Sequence, residues 1–134
     1  MKKPDYVVDS YALMAYLGGE AGAEQVKALL RQGQRNGATI YMSLINLGEV
    51  AYITERRYGS ERLQEVLAKL AQLPITITEA SHERVLAAAH IKAHHAVSYA
   101  DAFAIALAQE KEAPVITGDP EFEKVEYLVK VIWL

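Results

Sequence analysis

Asp9, Glu49, Asp101 and Asp119 each stand alone in apolar surroundings. Asp9 is the one charge between Asp5 and Glu20, Glu49 the one between Arg35 and Glu55, and Asp101 the one between Lys92 and Glu110. Asp119 follows the stretch Pro114-Val115-Ile116-Thr117-Gly118. A buried carboxylate costs several kcal/mol, on the order of the desolvation of an ion, unless a positive or hydrogen-bonding group offsets it. No Lys or Arg lies within a helical turn of Asp9, Glu49 or Asp101. If the four acids meet in space, a divalent cation is the simplest compensation. The chain has no cysteine, so a thiolate site and disulfides are both excluded. Oxygen ligands alone select hard cations such as Mg²⁺ or Mn²⁺ over zinc.

The elements that would carry these acids are legible from patterning. Asp5 to Asp9 reads as a short buried strand, and Ser10 as the cap of a helix over Tyr11 to Leu17 that Gly18-Gly19 ends. A helix from Ala21 to Gln34 carries Lys27, Arg31 and Arg35 as a solvent-facing basic stripe. Thr39 to Ser43 is β-branched and aromatic, as a strand requires. Helices are expected over Leu44 to Tyr58, Ser60 to Leu73, Ser81 to His94 and Ser98 to Lys111, with strands at Ile75 to Thr78, Pro114 to Thr117 and Val129 to Trp133. The alternation implies a single α/β domain over residues 1–134 with a mainly parallel sheet. Ligands of such sheets bind beyond the carboxyl ends of the strands. Asp9 and Asp119 fall there, with Glu49 two turns into one helix and Asp101 in the first turn of another.

Each acid also has an ordinary use. Asp9 can help cap the following helix, Asp119 before Pro120 can start a turn, and Asp101 can complement a helix dipole. Glu49 and Asp101 are harder to assign this way. Each is the lone charge of a helix that is apolar nearly all round, with Asn46 one turn before Glu49 on the same face. His90 and His94 have the i, i+4 spacing of a metal pair, but without a third nitrogen or sulfur ligand they read as a polar helix end.

The segments Val8-Asp9-Ser10, Leu47-Gly48-Glu49-Val50, Ser98-Tyr99-Ala100-Asp101-Ala102-Phe103 and Thr117-Gly118-Asp119-Pro120-Glu121-Phe122 resemble the signature stretches of PIN-domain ribonucleases, most closely the VapC-type toxins of prokaryotic toxin–antitoxin pairs. The resemblance covers nearly the whole chain, in order. It implies a three-layer α/β/α sandwich holding Mg²⁺ or Mn²⁺ in a carboxylate cluster. Asp9, Glu49 and Asp101 match the family's three near-invariant acids, Asp119 the more variable fourth, and Thr117 and Ser10 hydroxyl positions near the metal. Glu121 is an alternative or additional outer carboxylate. The implied reaction is hydrolysis of RNA phosphodiester bonds by an activated water, leaving a 5′-phosphate and a 3′-hydroxyl, with one or two metal ions. The implied partners are RNA, a second copy of the chain and a small antitoxin whose apolar segment lies in a groove and whose basic side chain reaches the acids. Tyr11, Met14, Tyr16, Leu17, Val50, Tyr52 and Ile53 are divided between the core and the surface available for that groove.

Charge and composition fit this expectation. The 14 basic and 17 acidic residues give a net charge of −3, and setting the four acids aside leaves 14 − 13 = +1. Arg56, Arg57, Lys92 and His95 are candidate RNA contacts, the alternative being a solvated face. The lack of cysteine, of a signal-peptide pattern and of an apolar run near the roughly 20 residues of a membrane span points to a cytoplasmic protein. Three other functions compete: a DNA-directed nuclease of related fold, a catalytically silent PIN-like module that binds RNA or protein, and a Mg²⁺-binding receiver-like signalling domain. The receiver-like domain wants paired acids after the first strand and a Lys after the last, whereas Ser10 follows Asp9 and Lys130 begins the last strand.

Overall fold

The computed structural model describes residues 2–134. The chain order is β1 (Asp5–Val8), α1 (Ser10–Gly18), α2 (Ala23–Gln34), β2 (Thr39–Ser43), α3 (Leu44–Tyr58), α4 (Ser60–Leu70), β3 (Thr76–Thr78), α5 (His82–His94), α6 (Tyr99–Lys111), β4 (Val115–Thr117), a 3₁₀ turn (Pro120–Val125) and β5 (Val131–Trp133). The five strands form one sheet in the order β3-β2-β1-β4-β5, and every neighbouring pair is parallel.

Strand side chains alternate between faces, and the two faces build separate cores. Val7 and Val115 face a cluster with Ala88, Ile91, Phe103, Ile105, Leu107, Phe122 and Val125, so α5, α6 and the 3₁₀ turn cover one side. Val8, Ile116, Ile40 and Met42 face Leu13, Val26, Leu30, Val50 and Val66, so α1 to α4 cover the other. This is the three-layer α/β/α sandwich. In α6, residues 101 to 108 are all buried, as a helix apolar on every side must be.

Several boundaries differ from expectation. Asp9, not Ser10, caps α1 by accepting from the Ala12 N–H at 2.9 Å, and Ser10 is the first residue of the helix. Gly19, in the left-handed region at φ 62°, ends α1 and donates to the Ala15 and Tyr16 carbonyls. Ala21-Gly22 belong to the turn before α2, because Gly22 takes a φ of 92° outside the helical range. α4 stops at Leu70, and β5 starts two residues after Val129. The 3₁₀ turn over Pro120–Val125 was not expected; Pro120 fits at its start, where no backbone donor is needed. Val50, a candidate for the exposed groove, is fully buried core instead. Lys27, Arg31 and Arg35 are exposed. Among the described residues no helix is long and apolar enough to cross a membrane.

Candidate active site

The strand order runs outward from β1 in both directions, to β2 and β3 on one side and to β4 and β5 on the other. A crevice opens where the direction of progression reverses, beyond the carboxyl ends of β1 and β4. Asp9 directly follows β1, and Asp119 lies two residues beyond β4. α3 and α6 supply Glu49 and Asp101. A cleft of about 610 Å³ is lined by Ser10, Tyr11, Met14, Glu49, Ile53, Arg57, Ser98, Asp101, Asp119 and Glu121, among others. Asp9 lies beneath this surface, 1% exposed.

Hydrogen bonds link the acids to neighbouring elements. The Thr117 hydroxyl accepts from the Asp119 N–H at 3.0 Å and lies near enough to the Asp9 carboxylate to favour its ionised form, so one buried side chain neighbours the first acid and the fourth. The Ser10 hydroxyl donates to a Glu49 carboxylate oxygen, joining α1 to α3. The Ser98 hydroxyl oxygen accepts from the Asp101 N–H at 3.1 Å and caps α6. Asp119 caps the 3₁₀ turn, accepting from the Glu121 N–H at 3.0 Å. Asn46 is fully buried and donates from Nδ2 to the Ala100 carbonyl at 3.2 Å. Capping and a functional role are therefore compatible, since a carboxylate that accepts one backbone N–H retains other lone pairs.

The charges report the same convergence. Burial pushes the Asp9 carboxyl up to about 7; Thr117 and the Ala12 hydrogen bond oppose this and the charges of Asp101 and Asp119 reinforce it. Burial also pushes Asp101 up to about 6, with Asp119, Glu49 and Glu121 adding repulsion and Ser98 opposing. Among the described residues none of Asp9, Glu49, Asp101 and Asp119 is in an ion pair. Glu121 pairs with Lys124 at 2.6 Å, and its charge weighs less on Asp101 than that of Asp119.

The donor set suits a hard divalent cation. All the acidic side chains offer oxygen, and among the described residues Arg57 is the one basic side chain lining the cleft. Among the described residues no group of three acidic or histidine side chains stands close enough to hold a metal ion as placed.

The candidate basic contacts divide. Arg57 lines the cleft. Arg56 lies 5.3 Å from the Tyr52 ring centroid, Lys92 donates to the Val97 carbonyl at 2.8 Å, and His95 Nδ1 is 2.9 Å from the Tyr127 hydroxyl; none of these three lines the cleft. His94 Nδ1 meets the His90 carbonyl at 2.9 Å, closing the polar helix end. Tyr11, Met14 and Ile53 form an apolar wall beside the acids. Tyr11 rests on Gly118, where any added Cβ would overlap its ring. Ser98 and Glu20 also line the cleft and were not singled out from sequence. Ser98 had a visible signal, Ser-x-x-Asp before an apolar helix; Glu20, in the turn after α1, had none.

The sequence profile described as PIN domain matches residues 6–127. No curated protein matches the chain in sequence. Solved structures of similar fold include VapBC2 from Rickettsia felis bound to a DNA fragment from their promoter, 15% identical, with a TM-score of 0.75 over 97% of this chain and 98% of that one. DNA-bound VapBC from Salmonella typhimurium is 17% identical, with a TM-score of 0.73 over 96% and 97%. The sarcin–ricin-loop-cleaving toxin VapC20 from Mycobacterium tuberculosis is 21% identical, with a TM-score of 0.70 over 90% and 94%.

Proposed function

The chain belongs to the PIN domain family, and from that premise we propose that it is a divalent-metal-dependent endoribonuclease, the toxin of a toxin–antitoxin pair. The observation that carries this reading is that Glu49, Asp101 and Asp119 line one cleft with Asp9 buried beneath it, none of them in an ion pair among the described residues, and that burial and mutual repulsion keep Asp9 and Asp101 protonated above the ordinary carboxylate range. Asp9, Glu49, Asp101 and Asp119 would hold Mg²⁺ or Mn²⁺. Bound there, such an ion supplies charge neutralisation of the phosphodiester and activation of water. The chain's own residues do the positioning. Thr117 holds the backbone of Asp119 beside Asp9, Ser10 orients Glu49, Ser98 sets the first turn of α6, and Arg57 offers a phosphate contact at the rim.

The partners follow from the same cleft. The apolar wall of Tyr11, Met14 and Ile53 would receive a small antitoxin, with a basic side chain directed at the acids in place of metal. A homodimer is part of this reading, as is a cytoplasmic location.

The test uses labelled single-stranded RNA and DNA with Mn²⁺. RNA cleavage is expected to require the ion and to stop on chelation. Asp9→Asn and Asp101→Asn each lower it by more than about 100-fold, beyond the usual effect of residues that merely support metal ligands, with circular dichroism unchanged. Metal-dependent activity retained in both variants would refute the assignment, and cleavage of DNA alone would change the substrate class.

A further inference from the structure

Asn46 is the one side chain among the described residues with a fully buried polar atom lacking any partner. Its Oδ1 has no donor, while its Nδ2 donates to the Ala100 carbonyl across the junction of α3 and α6. The assignment of the two amide atoms follows from chemistry, because a carbonyl can only accept. Such an arrangement is unfavourable for folding. The Ala100 carbonyl belongs to the α6 hydrogen-bond ladder and does not depend on Asn46 for a partner, whereas the orphaned Oδ1 carries a full desolvation penalty. An apolar residue would suit this site better. Places where local stability rules fail are those where function imposes a second requirement.

The location supplies that requirement. Asn46 is three residues before Glu49, on the same face of α3, and Ala100 is the residue before Asp101. The amide therefore ties together the two helices that carry the second and third acids, adjacent to both. The other contacts across the site use different pairs: Ser10 with Glu49, and Thr117 with Asp9 and Asp119. We infer that Asn46 is a positioning residue that holds α3 and α6 in the register needed for Glu49 and Asp101 to act on one bound ion, and that the chain retains it at a cost in stability. The inference rests on the nuclease reading above.

The test compares the wild-type chain with Asn46→Leu and Asn46→Ala. Three quantities are read: the metal-free thermal midpoint, the affinity for Mn²⁺ by calorimetry, and kcat and KM on labelled single-stranded RNA well below the midpoint. Asn46→Leu keeps the branching at Cγ and removes the unsatisfied oxygen, so its midpoint should equal or exceed that of the wild type. Its Mn²⁺ affinity and kcat should fall by about 10-fold or more, as for lost support of metal ligands. KM should hold within about 2-fold, because no substrate contact is removed. Asn46→Ala adds no bulk; it should show the same losses in affinity and kcat even if a cavity lowers its midpoint. Wild-type Mn²⁺ affinity and kcat in either variant would overturn the inference and leave the nuclease reading intact. So would full recovery of both at temperatures where the variant is folded, which would mark Asn46 as purely structural. A wild-type chain that neither binds Mn²⁺ nor cleaves RNA would overturn both.

Discussion

At the scale of single residues, Ser98 does two tasks with one hydroxyl. It caps α6 through the Asp101 N–H and it favours the ionised form of Asp101. Ser98→Ala should therefore cost about 1 kcal/mol of stability, the usual value of a lost cap. It should also raise the Asp101 pKa above its present value near 6 and move the acidic limb of the pH–rate profile toward alkaline pH. An unmoved limb with the expected loss of stability would leave Ser98 a cap alone. The burial of Asp9 and Asp101 was legible from their isolation among apolar residues, whereas Glu49 and Asp119 are only half-buried. Tyr11 was legible as a groove residue of α1, but its contact with Gly118, about a hundred positions away in the chain, was not. Glu20 was not legible, because the turn geometry after Gly19 brings it to the cleft. Both placements depend on tertiary contact rather than local pattern.

At the scale of elements, the strand–helix alternation was readable because each segment has a period matching its burial. What escaped were ends set by backbone geometry, such as the delayed start of α2 behind Gly22 and the 3₁₀ turn after Asp119. α6 matters most to the site, since it is buried along eight consecutive residues and carries Asp101 at its head. Ile105 is fully buried in its middle. Ile105→Ala should destabilise the protein by about 2–5 kcal/mol through a cavity, read by denaturant unfolding. A loss below about 1 kcal/mol, the scale of an ordinary surface change, would mean that the helix is not packed between sheet and α5 as described.

At the scale of the whole molecule, the acidic cleft links folding to pH and to ions. Asp9 and Asp101 have folded-state pKa values raised to about 7 and about 6, so the folded chain binds more protons than the unfolded one between roughly pH 4, the unfolded value, and pH 7. Stability contributed by these groups is complete below the unfolded pKa and is lost as pH rises through the folded values. The metal-free thermal midpoint should fall from pH 5 to pH 8. Added Mn²⁺ should raise it more at pH 8 than at pH 5, because the ion binds the ionised carboxylates. A midpoint that climbs with pH without metal, or a metal effect equal at both, would contradict this electrostatic account.

The central position of β1 in the sheet has a consequence for opening of the fold. Val7 and Val8 pair with Val115 and Ile116, more than a hundred positions away in the chain, and Asp9 and Asp119 follow those two strands. Separating this one pair of strands would part the first acid from the fourth while the pairing of β1 with β2 persisted.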